Sequence, residues 1–246
     1  MLGGCGGTWT QLSNRLRAEV DARQAYDAGL DPYNAGDYAR AIPHFQRALG
    51  LVSDFDDAEA HLAWSYYYVG NYREATRHYR QTIARQPRWE GLYDGLGWSR
   101  YRLQRYHLAA EAFQQALDLH PRYRDASVGL AYSLFESERY AEALPLLESL
   151  TREGEGYTPQ QSAADVEEVR GRLAWTLFYL GKYEEAKAEF TKGIAARPDW
   201  YGLYNGLGWT CLKLGDHVRA RQSFRQALRL KPGYADAKAG LAEVRR

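Results

Sequence analysis

The residues whose types suit chemistry lie in an octapeptide that occurs twice: Gly91-Leu92-Tyr93-Asp94-Gly95-Leu96-Gly97-Trp98 and Gly202-Leu203-Tyr204-Asn205-Gly206-Leu207-Gly208-Trp209. A tryptophan is a flat apolar platform, and on a helix the carboxylate or amide four residues earlier lies on the same face, one turn away. Gly91 and Gly95, like Gly202 and Gly206, share that face, where each glycine costs about 1 kcal/mol relative to Ala. One reading makes each copy a subsite for a ligand, with a Trp platform, a bare glycine floor and one polar side chain, Asp94 or Asn205. The other is packing, in which the missing Cβ lets two helices approach closely. Either way the chemistry is binding.

Catalysis finds no support in the sequence. His44, His61, His78, His107, His120 and His217 lack metal-ligand spacing such as His-Glu-x-x-His. The early glycines are not followed by Gly-Lys-Ser/Thr, and no Gly-x-Ser-x-Gly elbow occurs. Cys5 and Cys211 have neither metal spacing nor the density of a disulfide framework, and Cys211 falls on an apolar stripe as a small core residue. The expectation is a non-enzyme without cofactor or metal. With 32 Lys and Arg against 31 Asp and Glu, the chain carries no electrostatic footprint for nucleic acid or an anionic membrane. No apolar run is long enough to span a bilayer. The 20 Tyr and 7 Trp exceed what a helical core of Leu and Ala requires, so some rings are expected to face a ligand.

The elements that position these residues follow from the spacing of the two octapeptides, 202 − 91 = 111, which is three times 34 plus 9. Six 34-residue repeats can be aligned: 22–55, 56–89, 90–123, 124–157, 167–200 and 201–234. The eighth place is always small (Gly29, Ala63, Gly97, Ala131, Ala174, Gly208), and the twentieth is always Ala (Ala41, Ala75, Ala109, Ala143, Ala186, Ala220). Such places let paired helices approach, while large residues at the seventh (Leu62, Leu96, Leu130, Leu173, Leu207) and twenty-fourth (Phe45, Tyr79, Phe113, Leu147, Phe190, Phe224) fill the space between them. Gly36, Gly70, Gly181 and Gly215 mark the turn between the helices, with Gln104 and Glu138 in their place in repeats three and four. Pro87, Pro121, Pro198 and Pro232 close repeats two, three, five and six. Repeats three and six share 16 of 34 residues and repeats two and three share 9, which indicates duplication of a three-repeat block.

This pattern resembles the tetratricopeptide repeat family over 22–234. The resemblance implies an all-α fold, a right-handed superhelical solenoid of antiparallel helix pairs, with a capping helix over 235–246. Residues 1–21 are expected to form a Gly-rich tail and a short amphipathic cap bearing Trp9, Leu12, Leu16 and Val20. The division is thus repeats one to four over 22–157 and repeats five and six over 158–234. Pro32 and Pro43 predict distorted or shortened helices in repeat one. Arg152 to Tyr157 reads as a Gly-rich loop, and Thr158-Pro159 as an early start to the helix entering repeat five.

In the family, the first helices line the concave face that takes the ligand. On that stripe, place nine carries Trp64, Trp98, Tyr132, Trp175 and Trp209, and place twelve carries Tyr67, Tyr101 and Phe178 among others. The expectation is an aromatic ladder that binds a protein or peptide partner, the chain serving as a docking subunit of a larger complex; packing between repeats is the alternative use of the same rings. The family's Lys, Asn and Arg clamp for a C-terminal carboxylate is not matched, since those places hold mainly Gly, Asp, Glu and aromatics. A polysaccharide stacking on the ladder is the alternative ligand. Leu2-Gly3-Gly4-Cys5 resembles a lipobox, which would make Cys5 a lipid anchor at the cell envelope, facing the periplasm; a plain tail and a cytoplasmic chain are the alternative.

Overall fold

The computed structural model describes residues 6–154 and 163–244. Among the described residues there are thirteen α-helices and no strand. They divide into two bodies at Gly129/Leu130.

In the first body, α1 (Gly6–Asn34) and α2 (Tyr38–Leu51) form repeat one, α3 (Asp56–Tyr68) and α4 (Tyr72–Arg85) repeat two, and α5 (Glu90–Arg102) and α6 (Tyr106–Leu119) repeat three; α7 (Arg124–Glu136), which opens repeat four, contains the boundary itself. The second body holds α8 (Tyr140–Gly154), α9 (Ala163–Tyr179), α10 (Tyr183–Ala196), α11 (Tyr201–Lys213), α12 (His217–Leu230) and α13 (Ala235–Glu243). Each helix pair closes over the places that the alignment singles out. Ala41, Ala75, Ala109, Ala143, Ala186 and Ala220 are fully buried, as are Phe45, Tyr79, Phe113, Leu147, Phe190 and Phe224. Cys211 is buried in the core beside Ala220 and Phe224, as its apolar stripe predicts.

The turns have one geometry. Gly36, Gly70, Gly181 and Gly215 adopt φ of +77° to +83°, and Gln104 and Glu138 adopt the same left-handed conformation at 59° and 60°. Repeats three and four therefore tolerate a strain of about 1–2 kcal/mol to keep the turn. Asp37, Asn71 and Asp216 cap the second helices of repeats one, two and six through a backbone N–H three residues on.

Three expectations change. The tail cap and the first helix of repeat one are a single 29-residue helix, α1, with no break at residue 21. Leu12, Leu16 and Val20 do not close over the repeats but stand more than half exposed. The reason is length: α1 runs for about 44 Å against about 21 Å for α2, so α2 is too short to cover its first turns. Pro32 and Pro43 shorten nothing, for both lie inside continuous helices. Pro32 serves the turn through its carbonyl, which accepts from Asp37 N at 2.8 Å. The helix entering repeat five does start early, at Ala163; the predicted start at Thr158-Pro159 lies outside the described residues, as does Cys5.

Candidate binding site

Every ring of the predicted ladder has a partner inside the fold. Across a helix pair, the Trp at place nine meets the ring at place twenty-four edge-on: Trp64 on Tyr79 at 5.4 Å, Trp98 on Phe113 at 5.1 Å, Trp175 on Phe190 and Trp209 on Phe224 at 5.3 Å. The ring at place twelve meets the tyrosine that opens the second helix: Tyr67 on Tyr72 at 5.6 Å, Tyr101 on Tyr106 at 5.3 Å and Phe178 on Tyr183 at 5.5 Å. Edge-on ring pairs of this kind are worth about 0.5–1.5 kcal/mol beyond the area they bury. All seven ladder rings are half-buried, and their first role is to join helix pairs.

The glycines follow the packing reading. A Cβ at Gly95 would overlap the ring of Tyr79, and one at Gly206 the ring of Phe190. Gly129 and Gly240 stand in the same relation to Phe113 and Phe224. Place six is thus a slot for the large ring of the preceding repeat, filled from within. Gly91 and Gly202 lie beneath Trp89 and Trp200, where a Cβ would come within 3.3 and 3.1 Å of the indole nitrogen. Neither pair floors a notch beside Trp98 or Trp209.

The polar residue of each octapeptide is not at an open edge. Asp94 is 3% exposed, since the start of the next repeat covers it. Its carboxylate accepts from the Trp98 indole and the Tyr123 hydroxyl, while burial first and the Asp125 carboxylate second push it up to about 7. In the other copy Asn205 is fully buried; its amide Nδ2 donates to Asp236 Oδ2 at 2.6 Å, and Trp209 Nε1 donates to the same oxygen at 3.2 Å. Asp125 is the second residue of repeat four, and Asp236 holds the same place in the stretch 235–246 that follows repeat six. What looks in sequence like a ligand edge is a latch between consecutive repeats. Tyr132 is likewise buried, beneath the Arg172 guanidinium at 3.9 Å. Asp94, Asn205 and Tyr132 therefore leave the contact surface.

The open aromatic surface is one place further along. Tyr68 and Tyr179, at place thirteen of repeats two and five, are 51% and 52% exposed. Each stacks on the tyrosine opening the second helix of the preceding repeat, Tyr68 on Tyr38 at 4.2 Å and Tyr179 on Tyr140 at 4.6 Å. Each also lies near-parallel to its ladder tryptophan, Trp64 at 6.0 Å and Trp175 at 5.8 Å. Tyr38, Tyr68 and Trp64 thus have a counterpart, ring for ring, in Tyr140, Tyr179 and Trp175. Sequence reasoning passed over Tyr38, Tyr68, Tyr140 and Tyr179. The available signal was that these places hold tyrosine at corresponding positions of both three-repeat blocks.

A family profile described as tetratricopeptide repeat matches residues 95–158 and 172–235, and another of the same description matches 60–86. No curated protein matches the sequence. Solved structures do match in fold. YrrB, a TPR protein with an unusual peptide-binding site, aligns at 18% identity and a TM-score of 0.67, over 79% of this chain and 96% of its own. PilF of Pseudomonas aeruginosa aligns at 19% identity and 0.68, over 93% of this chain and 99% of its own. The APC/C hetero-tetramer Cut9–Hcn1 aligns at 14% identity and 0.66, over 94% of this chain and 46% of the matched chain.

Proposed function

The chain belongs to the tetratricopeptide repeat family, and on that premise we propose that it is a non-catalytic scaffold that holds a protein or peptide partner against its exposed aromatic stacks, docking as a subunit of a larger complex. The observation that carries this reading is the pair of matching stacks, Tyr38–Tyr68–Trp64 and Tyr140–Tyr179–Trp175, each with its middle ring half open to solvent. Nothing in helix pairing requires a large ring at place thirteen, which in repeats one, three, four and six holds Asn34, Arg102, Glu136 and Lys213. Rigid aromatic side chains give contact area at low cost in conformational entropy, and interface hot spots are enriched in Tyr and Trp. YrrB, with its unusual peptide-binding site, and Cut9–Hcn1, a hetero-tetramer, support the reading by analogy of fold.

A photo-crosslinking residue placed at position 68 or 179 in cells tests it. We expect both to capture the same partner, while the same group at Val218, 66% exposed on the second helix α12, captures none of it. Equal labelling from all three positions, or no adduct at 68 and 179, overturns the reading.

A further inference from the structure

We propose that the two aromatic stacks take a partner segment that carries arginine side chains; the inference rests on the stacks being the binding surface. Two observations support it: how the chain seats its own arginines on comparable rings, and which charged groups lie around the stacks.

The first is that the chain seats its own arginines in this way. At the place in repeat three that Tyr68 fills in repeat two, the residue is Arg102. Its guanidinium lies over the ring of Tyr72 at 5.2 Å, and its Nε donates to the Tyr72 hydroxyl at 3.0 Å. Tyr72 opens its helix as Tyr38 and Tyr140 open theirs. Arg172 repeats the theme over Tyr132 at 3.9 Å, with Glu136 at 3.4 Å and Glu168 at 3.7 Å completing an arginine, ring and carboxylate cluster. Lys231 also lies over a tyrosine, Tyr201, at 4.4 Å, but a planar guanidinium suits both an aromatic face and a carboxylate, and Arg172 joins ring and carboxylates in one cluster.

The second is charge. The charged groups that act on the Tyr68 hydroxyl are the carboxylates of Asp94 and Asp125; those acting on Tyr179 are Asp236 and Glu138, and those acting on Tyr140 are Glu138 and Glu136. Burial is the main cause that raises all three hydroxyls above the ordinary tyrosine range, and these carboxylates add to it. Both stacks are therefore apolar faces in a negative field, a setting that attracts a cation and disfavours an acidic or phosphorylated segment.

The first stack carries a further signature. Asp94 faces Trp98 on its own helix, Tyr123 at the end of repeat three, Asp125 at the start of repeat four, and Tyr67, Tyr68 and Tyr79 on α3 and α4. With its carboxyl poised near 7, a cation at Tyr68 favours the ionised form, so binding at this stack strengthens as pH rises through neutrality. Asn205 has no such proton, so the second stack lacks this contribution.

Panning a library of random dodecapeptides against the full chain tests the proposal, with an enriched peptide then titrated by fluorescence anisotropy. The expected result is enrichment in arginine over the unselected library. Affinity should fall about two- to fivefold for each of Tyr68→Leu and Tyr179→Leu and hold for Tyr68→Phe and Tyr179→Phe, which keep the ring. Binding by the Tyr179→Leu variant should be tighter at about pH 8 than at about pH 6, a difference that Asp94→Asn abolishes. Asp94→Asn is the residue that the second copy carries at this place, so the fold accepts it. Enrichment of acidic or purely apolar peptides that compete for the tyrosines overturns the arginine inference and leaves the docking reading standing. If no peptide is enriched, and a glycan or nothing binds instead, both fall. Arginine peptides that bind the double Tyr→Leu variant as tightly as the native chain also overturn it.

Discussion

Asp94 and Asn205 occupy one place in two copies of the same octapeptide, and one atom group separates their behaviour. The Asn205 amide Nδ2 donates to Asp236, so that latch closes without a shared proton. Asp94 has no donor to give Asp125 unless it keeps a proton, and burial with the neighbouring carboxylate raises it from 3.8 to about 7. A carboxyl raised on folding stabilises the fold fully below its unfolded value, and this contribution is lost as pH rises through its folded value. The window is therefore about pH 4 to 7, and the loss across it is about 4 kcal/mol. Asp94→Asn should remove the tilt: urea unfolding of native and variant chains should diverge steadily across that window, with the variant more stable above pH 7. Parallel curves would mean that the two carboxylates do not interact. The sequence displays the Asp and Asn difference plainly, but the chemistry comes from burial, which a helical stripe alone does not reveal.

At the scale of the element, the repeat is a device for trapping one large ring. In repeats two, three, five and six the ring at place twenty-four lies against a glycine at place six of the unit that follows: Tyr79 at Gly95, Phe113 at Gly129, Phe190 at Gly206 and Phe224 at Gly240. Phe113 touches both Gly97 and Gly129, and Phe224 both Gly208 and Gly240. This accounts for glycines that lower helix propensity, because a methyl group at place six must displace an aromatic ring held in a filled core. Gly206→Ala should accordingly destabilise the chain by about 1–3 kcal/mol, from overpacking against Phe190. Gly50→Ala makes the control: it lies inside α2 with nothing near its absent Cβ, and should stabilise by up to about 1 kcal/mol. Denaturant midpoints distinguish the two, and a stabilising Gly206→Ala would contradict the trapped-ring account. The alternation of small and large places was readable in sequence because it recurs in every repeat. Which ring fills which slot was not, since the ring and its second glycine belong to different repeats.

Across the whole molecule the three-repeat duplication keeps positions while changing what stands on them. Places four and twenty-three hold a buried pair in both copies, with the carboxylate on opposite helices. In repeat two Glu59 Oε1 lies 2.7 Å from His78 Nδ1, and in repeat five Arg170 Nη1 lies 2.9 Å from Glu189 Oε2. A buried charged partner left alone is expensive, about 3–5 kcal/mol, so the two places must change together. Glu59→Arg alone should lose about that much stability, and adding His78→Glu, which copies repeat five, should recover at least half in a double-mutant cycle. Additive losses would show that the pair is not a unit. The sequence by itself determined the repeat length, the helix pairs, the turn places and the duplication, because these depend on periodic patterns that many residues report at once. It could not decide between ligand surface and packing for the aromatic ladder, nor find the open rings at Tyr68 and Tyr179. That choice depends on how much of each ring the neighbouring repeat covers, and contact across repeats is a property of the tertiary structure.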